Sequence, residues 1–278
     1  MLFPEKVNLQ TIQEPHLVTI PYSHYCELGR WALEYAGMEF REVKYAPGYH
    51  AKMVGELRKD RANRSESSYV GQESGVHGGR RKYAVPLLCL PGGKVLRDSW
   101  EILAYALGEP DPTWKHVIDQ ELGTSVRQVG YFYLLAPETR HHISAMISSA
   151  SLFERIFWWF TGDKIMGGMT KLMAINEETV REGSERVLRI LEEAGKKLKE
   201  YEGSLQPDGG FGATEIAFCS LGSICVLPEN FGNGAAVMPG IDDFGSEYQE
   251  FVRRCRSTAA GEFILRRYES RHESRSSS

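Results

Sequence analysis

Three side chains near the start of one predicted helix could take part in chemistry. Tyr22 carries a phenol, Ser23 a hydroxyl and Cys26 a thiol, all within the stretch PYSHYCELGRWALEYA. The free N–H groups and the dipole at a helix N-terminus stabilise an anion, and a hydroxyl donor adds a charge-assisted hydrogen bond. Ser23 stands where both effects would act together. Serine is also a favoured N-cap, so a purely structural role for Ser23 is the alternative.

Cys26 lies one helical turn after Ser23 and on the same face of the predicted helix. In CxxC redox motifs the first cysteine is the activated one, and here Ser23 occupies that position. Cys26 is therefore predicted to be a small buried core residue, with a redox role as the alternative. Tyr22 precedes the helix and ranks below Ser23 as a hydroxyl donor.

The elements that position these residues have the pattern of a small α/β unit. A strand, a helix and a second strand follow one another in about thirty residues, which predicts a βαβ unit with parallel strands. The helix is expected to end at Gly37. The predicted order is strand, helix, strand, short helix, strand, strand and helix, over residues 16–22, 24–36, 38–46, 51–59, 83–90, 94–98 and 99–109. This order is that of a thioredoxin-like half.

After residue 109 the pattern indicates helices only. Residues 110–113 have the composition of a linker, and residues 114–267 form the predicted helical half, with helices at 114–135, 151–173, 177–201, 214–228 and 249–267. Residues 268–278 are expected to be a flexible, solvated tail. Residues 61–81 are rich in Gly, Ser, Asn and Arg and predict a mobile loop, with a lid over the site as the alternative.

Composition and charge exclude several classes of function. The formal net charge of −4 is spread along the chain, whereas a nucleic-acid binder normally has a basic face. The five cysteines form no CxxC pair and no apolar signal segment opens the chain, which favours a reduced, cytoplasmic setting. No apolar run reaches the roughly 20 residues that span a bilayer. His141 and His142 are adjacent rather than four apart, so no metal site is predicted.

Four motifs, in this order, resemble the cytosolic glutathione transferases. SHYCELGRWAL resembles the family's first helix, in which a Ser or Cys stands seven residues before an Arg, here Ser23 and Arg30. AVPLL resembles the strand that carries a cis-proline, and LRDSWEILAY resembles the start of the third helix. FGATEIAF resembles the start of a buried helix, although Gly212 and Glu215 replace the usual Ser and Asp.

The resemblance covers nearly the whole chain and carries an expectation for the fold. It implies an α/β thioredoxin-like N-terminal domain at residues 1–109, followed by an all-α C-terminal domain at residues 114–267. The ending STAAGEFILRRYESRHE resembles a poorly characterised bacterial and algal branch of the family. Homodimerisation is a further implication of the resemblance.

The resemblance also implies how glutathione would be held. A free thiol has a pKa near ~8.5, and Ser23 would hold the sulfur of glutathione as the thiolate. Val85 and a cis-Pro86 would pair with the cysteinyl backbone in a short β-augmentation. Asp98 and Ser99 would bind the γ-glutamyl end, although Asp98 could instead cap its helix. The glycyl carboxylate would meet Lys82, with Arg81 beside it.

These assignments imply a glutathione transferase that conjugates the thiolate to an apolar electrophile. Aromatic residues of the helical half would line the electrophile pocket, and the candidates are Tyr131, Phe132 and Trp158, with Trp159 beside them. Each of them could equally belong to the core. The alternatives are a glutathione-dependent thiol-disulfide reductase that uses Cys26 and a non-catalytic binder of hydrophobic ligands.

Overall fold

The computed structural model describes residues 1–57, 83–148, 150–207, 209–236 and 238–276, without the side chains of Arg140 and of residues 272–276. The predicted loop at 61–81 lies outside these residues. A four-stranded sheet and the helices on it occupy the N-terminal part, and the remainder is helical. Within the described part of the chain, no helix is long and apolar enough to cross a bilayer.

The N-terminal part has the predicted order of elements. They are β1 His16–Thr19, α1 His24–Tyr35, β2 Arg41–Lys44, α2 His50–Leu57, β3 Leu87–Cys89, β4 Val95–Leu96 and α3 Ser99–Leu107. The sheet order is β2-β1-β3-β4, with β1 and β2 parallel and the other pairs antiparallel. β1 is shorter than predicted and ends before Pro21, which has no N–H to donate to a ladder.

The helical part is built around one buried helix. Its helices are α4 Pro112–His116, α5 Gly123–Leu134, α6 Arg140–Met146, α7 Leu152–Leu172, α8 Glu177–Glu200, α9 Ala213–Val226, α10 Ser246–Arg256 and α11 Ala259–Ser276. A π-helical stretch, Val117–Leu122, joins α4 to α5 without a break. Every residue of α9 after Ala213 is buried, as its nearly continuous apolar sequence predicts. The predicted linker is partly helical, because Pro112 already belongs to α4.

Glu215, one of the two residues that depart from the family motif, fixes the start of α9. The Glu215 carboxylate is buried and accepts hydrogen bonds from the Gly212 N–H (3.1 Å), the Leu205 N–H (2.9 Å) and the Ser204 hydroxyl (3.0 Å). Glutamate therefore satisfies backbone donors before the helix that would otherwise be buried without a partner.

Two predictions at the C-terminal end are wrong. The predicted helix at 249–267 is two helices, because the chain breaks at Ser257 and Thr258, whose hydroxyl accepts from the Gly261 N–H at 2.9 Å. The predicted flexible tail is helical through Ser276, and its side chains at Tyr268 and Arg271 are buried. Both residues contact α1, which is far away in the sequence, and these contacts hold them in place.

Candidate functional site

The candidate glutathione-binding segments meet at one edge of the sheet. β3 runs antiparallel to β1, and Val18 pairs with Leu87, so residues 85–86 lie beside the end of β1 from which the chain enters α1. β4 runs antiparallel to β3, and Leu88 pairs with Leu96, so the start of α3 follows at this same edge. Sheet topology therefore brings together three segments that are distant in the sequence.

Ser23 occupies the N-cap of α1 and is half-buried. Its Oγ accepts a long hydrogen bond, 3.5 Å, from the Cys26 N–H, and its backbone is extended, as an N-cap requires. The capping role is therefore present. It does not exclude a catalytic role, because the hydroxyl hydrogen remains available for donation to a bound anion.

Cys26 is fully buried, as predicted for a core residue. Burial raises the pKa of its thiol to about 12, and the hydrogen bonds from its neighbours only partly oppose this effect. A thiolate is the reactive form of cysteine. The position of Cys26 therefore does not support a redox role.

Tyr22 and Tyr131 line a narrow crevice between the start of α1 and the helical part. Burial raises the pKa of Tyr131 to about 12 and that of Tyr22 well above its ordinary value, so both phenols are neutral. The remaining lining is mostly apolar and consists of Gly130, Leu134, Met146, Ile224, Leu227, Met238, Pro239, Phe244 and Tyr248. The other two predicted pocket residues are not part of this lining. Phe132 is partly buried beside Tyr133 (5.2 Å between ring centroids), and Trp158 is in the core.

The peptide bond between Val85 and Pro86 is cis, as the resemblance implies. Pro86 is buried against α1, since a Cβ added to Gly29 would lie 3.3 Å from its Cγ. Val85 is half-buried at the edge of the sheet. The bend therefore lies beside the helix that carries Ser23.

Asp98 is the N-cap of α3. Its Oδ1 accepts from the N–H groups of Trp100 and Glu101, both at 2.9 Å, so the capping alternative is present. Ser99 is almost fully buried, at 2% exposure. Lys82 and Arg81 lie outside the described residues. Trp159 is 78% exposed and belongs neither to the core nor to the crevice.

Two residues of this region carry chemistry that the sequence reasoning missed. His24, next to Ser23, is buried and forms a hydrogen bond from Nε2 to the Gly123 carbonyl at 3.1 Å, while its Nδ1 has no hydrogen-bond partner among the described residues. Burial lowers the pKa of His24 to about 3, and the charge of Arg127 adds to this effect. The Arg127 guanidinium lies 5.9 Å from the centre of the Tyr25 ring. The signal for Arg127 that was available in the sequence is the four-residue spacing of Gly123, Arg127 and Tyr131.

Comparison with solved structures identifies the fold. The chain matches a glutathione transferase from Phanerochaete chrysosporium, GSTFuA3, with a TM-score of 0.54 and 15% identity, over 94% of this chain and 98% of that one. It matches the beta-etherase LigF from Sphingobium sp. strain SYK-6 with a TM-score of 0.50 and 15% identity, over 92% and 100% of the two chains. The chain has the glutathione transferase fold. No sequence-family profile and no curated protein sequence matches it.

Within this glutathione transferase fold, Arg30 belongs to a buried ion network. It pairs with Glu27 on its own helix and with Glu42 on β2, the latter at 2.6 Å. Glu27 also pairs with Arg271 of α11 at 2.6 Å and accepts from the Gly232 N–H at 3.0 Å. Burial alone would raise the pKa of Glu27, but Arg271 and Arg30 hold it below its ordinary value. The network anchors α1, and with it the position of Ser23.

Proposed function

We propose that this protein is a glutathione transferase that conjugates the thiolate of glutathione to an apolar electrophile. The observation that carries the proposal is the position of Ser23. This half-buried residue lies at the N-terminus of α1, at the same sheet edge as the cis Val85–Pro86 bond and the start of α3. A tripeptide in extended conformation at this edge would place its sulfur near the Ser23 hydroxyl and the positive end of the helix dipole.

The reaction needs few groups. Ser23 donates a hydrogen bond to the thiolate, and the thiol proton passes to water. The sulfur then forms a bond to an electron-poor carbon of the second substrate, and the leaving group departs with its electron pair. We assign the hydrophobic part of that substrate to the apolar crevice at Tyr22 and Tyr131, which is narrow and whose side chains must move apart to admit it.

The test compares three substitutions at Ser23. Ser23→Ala removes both the hydroxyl and the cap, Ser23→Gly removes the hydroxyl but costs the cap only a few tenths of a kcal/mol, and Ser23→Thr keeps both. We expect calorimetric titration to show glutathione binding largely retained in all three. Conjugation of a chlorodinitrobenzene should fall about 100-fold in the Ala and Gly variants, because each lacks the donor, and should be substantially retained with Thr.

Near-normal turnover in Ser23→Gly would mean that Ser23 only caps its helix. Binding of glutathione without turnover by the wild type, over a broad panel of electrophiles, would favour the non-catalytic binder. The reductase alternative predicts loss of mixed-disulfide reduction in Cys26→Ala. We expect no such loss, because the thiol is buried and its pKa is raised to about 12.

We also propose that the protein acts in the cytoplasm, as a homodimer. The support for both statements is the resemblance of four sequence motifs to the cytosolic family. Light scattering at micromolar concentration tests the dimer, which should have twice the chain mass of 31.4 kDa.

A further inference from the structure

Arg127 is a half-buried cation beside the start of α1, and in the described residues no acidic side chain pairs with it. Its Nε is buried and has no hydrogen-bond partner in the part of the chain that the structure describes. The carboxylate of Asp119 is close to Tyr25, with 3.4 Å between its Oδ1 and the Tyr25 hydroxyl, and also accepts from Gln120. An unpaired, partly desolvated guanidinium is costly unless an anion binds it.

The position of Arg127 relative to Ser23 follows from the contact between the start of α5 and the start of α1. Gly123 contacts His24 through the 3.1 Å hydrogen bond, and Arg127 follows Gly123 by one helical turn. Tyr131 follows by another turn and lines the crevice with Tyr22. Arg127 therefore shares one face of α5 with Gly123 and Tyr131, and its guanidinium lies 5.9 Å from the centre of the Tyr25 ring.

Within the described part of the chain, a second buried group nearby also lacks a hydrogen-bond partner. His24 is 1% exposed, its Nε2–H donates to the Gly123 carbonyl, and its Nδ1 accepts a hydrogen bond from no group of the described residues. Burial and the Arg127 charge both lower the pKa of His24, which keeps its ring neutral. Among the described residues, the positive charge that acts on His24 is thus that of Arg127.

We propose that Arg127 binds a carboxylate of the electrophilic substrate, beside the sulfur that Ser23 would hold. This inference rests on the proposed function. It narrows the substrate class to electrophiles that combine an aromatic or aliphatic body, for the crevice, with one carboxylate. The planar fork of the guanidinium suits a carboxylate because two parallel hydrogen bonds can form.

The test uses a matched pair of electrophiles, a chloronitrobenzoate and the corresponding chloronitrobenzamide, which differ in charge and little in size. Their S-aryl glutathione conjugates serve as ligands for calorimetry, so that binding is measured even where turnover is slow. The variants are Arg127→Gln, Arg127→Lys and, as a control for net charge, Arg181→Gln on the exposed face of α8. Denaturation midpoints establish that each variant folds.

We expect the wild type and Arg181→Gln to bind the carboxylate conjugate more tightly than the amide conjugate. In Arg127→Gln the affinity for the carboxylate conjugate should fall about tenfold or more, and the affinity for the amide conjugate should fall less than about twofold. Arg127→Lys should recover part of the lost affinity. The ratio of kcat/KM for the two electrophiles should shift in the same direction.

Three results would overturn the inference. Equal losses for both conjugates would make Arg127 a residue that supports the thiolate or the packing, while leaving the proposed transferase intact. Weaker binding of glutathione itself in Arg127→Gln, by the same factor, would assign the arginine to a carboxylate of glutathione. Failure of the wild type to bind glutathione or either conjugate would remove the proposed function, and this inference with it.

Discussion

His24 links the neighbourhood of Ser23 to the stability of the whole chain. The folded state holds its pKa at about 3, chiefly through burial, against an ordinary value of 6.5. Between these two values the unfolded chain binds a proton that the folded chain does not. Folding stability must therefore fall as the pH is lowered from 6.5 toward 3, by up to about 1.4 kcal/mol per pH unit from this one residue.

We predict that His24→Gln flattens this dependence. Glutamine can still donate to the Gly123 carbonyl but has no titrating group, so the slope of the unfolding free energy between pH 6 and pH 4 should decrease by about 1.4 kcal/mol per unit. Urea denaturation at several pH values measures the slope. His50 contributes with the same sign, because burial lowers its pKa to about 4, and its contribution should persist in the variant.

An exposed histidine supplies the control. His116, at an exposed position on α4, is replaced by glutamine and measured in parallel. An unchanged slope in His24→Gln would mean that the His24 ring is accessible to protons, and thus that water enters between Gly123 and the start of α1.

Contacts between helices decide how a glycine substitution affects stability, and we predict opposite effects at two glycines. Gly130 lies on α5 where it faces α9, and a Cβ there would come within 2.3 Å of Ile224 Cγ2. Gly168 lies on the exposed side of α7, where a Cβ would meet nothing within 4 Å. Propensity favours alanine at both positions by up to about 1 kcal/mol.

We predict that Gly130→Ala lowers the free energy of unfolding by about 1–3 kcal/mol, because the extra methyl overpacks the contact between α5 and α9. Gly168→Ala should raise it by about 0.5–1 kcal/mol. Urea denaturation of the two variants in parallel measures both effects. If both variants gain stability, α5 and α9 can separate at small cost, and Gly130 is not required for their close approach.

Local sequence signals were sufficient to predict those elements whose start and end depend on nearby residues. α8 begins where predicted, because the Asn176 side chain accepts from the Thr179 N–H at 3.0 Å, and Gly203 adopts a positive φ of 98° just beyond the last turn. The break between α10 and α11 was also signalled, by the Ser257–Thr258 pair before a run of small residues. The apolar pattern that continues across it made the two helices resemble one.

The long-range contacts could not be predicted in this way. A polar stretch such as RRYESRHE gives no sign that Arg271 pairs with Glu27, which is 244 residues away. The same holds for the candidate site. Ser23 and the cis-Pro86 were accessible through motifs, whereas Arg127 is notable only because its Nε, where the start of α5 meets the start of α1, is buried with no hydrogen-bond partner among the described residues.

The ion network therefore makes the C-terminal helix part of the structure that holds the candidate site. Arg271 donates to Glu27 at 2.6 Å and to Glu34 at 2.9 Å, and its guanidinium lies 4.6 Å from the centre of the Trp31 ring. Glu27 is fully buried. Removal of one partner from a buried ion pair leaves an uncompensated charge and is strongly destabilising.

We predict that Arg271→Gln lowers the free energy of unfolding by about 3 kcal/mol, whereas Arg266→Gln, at an exposed position on the same helix, changes it by less than about 0.5 kcal/mol.

The effect of Arg271→Gln should also depend on pH. Because the pKa of Glu27 is lowered in the folded chain, the contribution of Glu27 to stability is present above the ordinary pKa of 4.5 and is lost as the pH falls through the lowered pKa. The difference in unfolding free energy between the wild type and Arg271→Gln should therefore become smaller under acidic conditions. Urea denaturation at neutral and acidic pH measures it, and the double variant with Glu27→Gln should recover part of the loss at neutral pH. Equal effects of Arg271→Gln and Arg266→Gln would show that the end of α11 does not hold α1 in place.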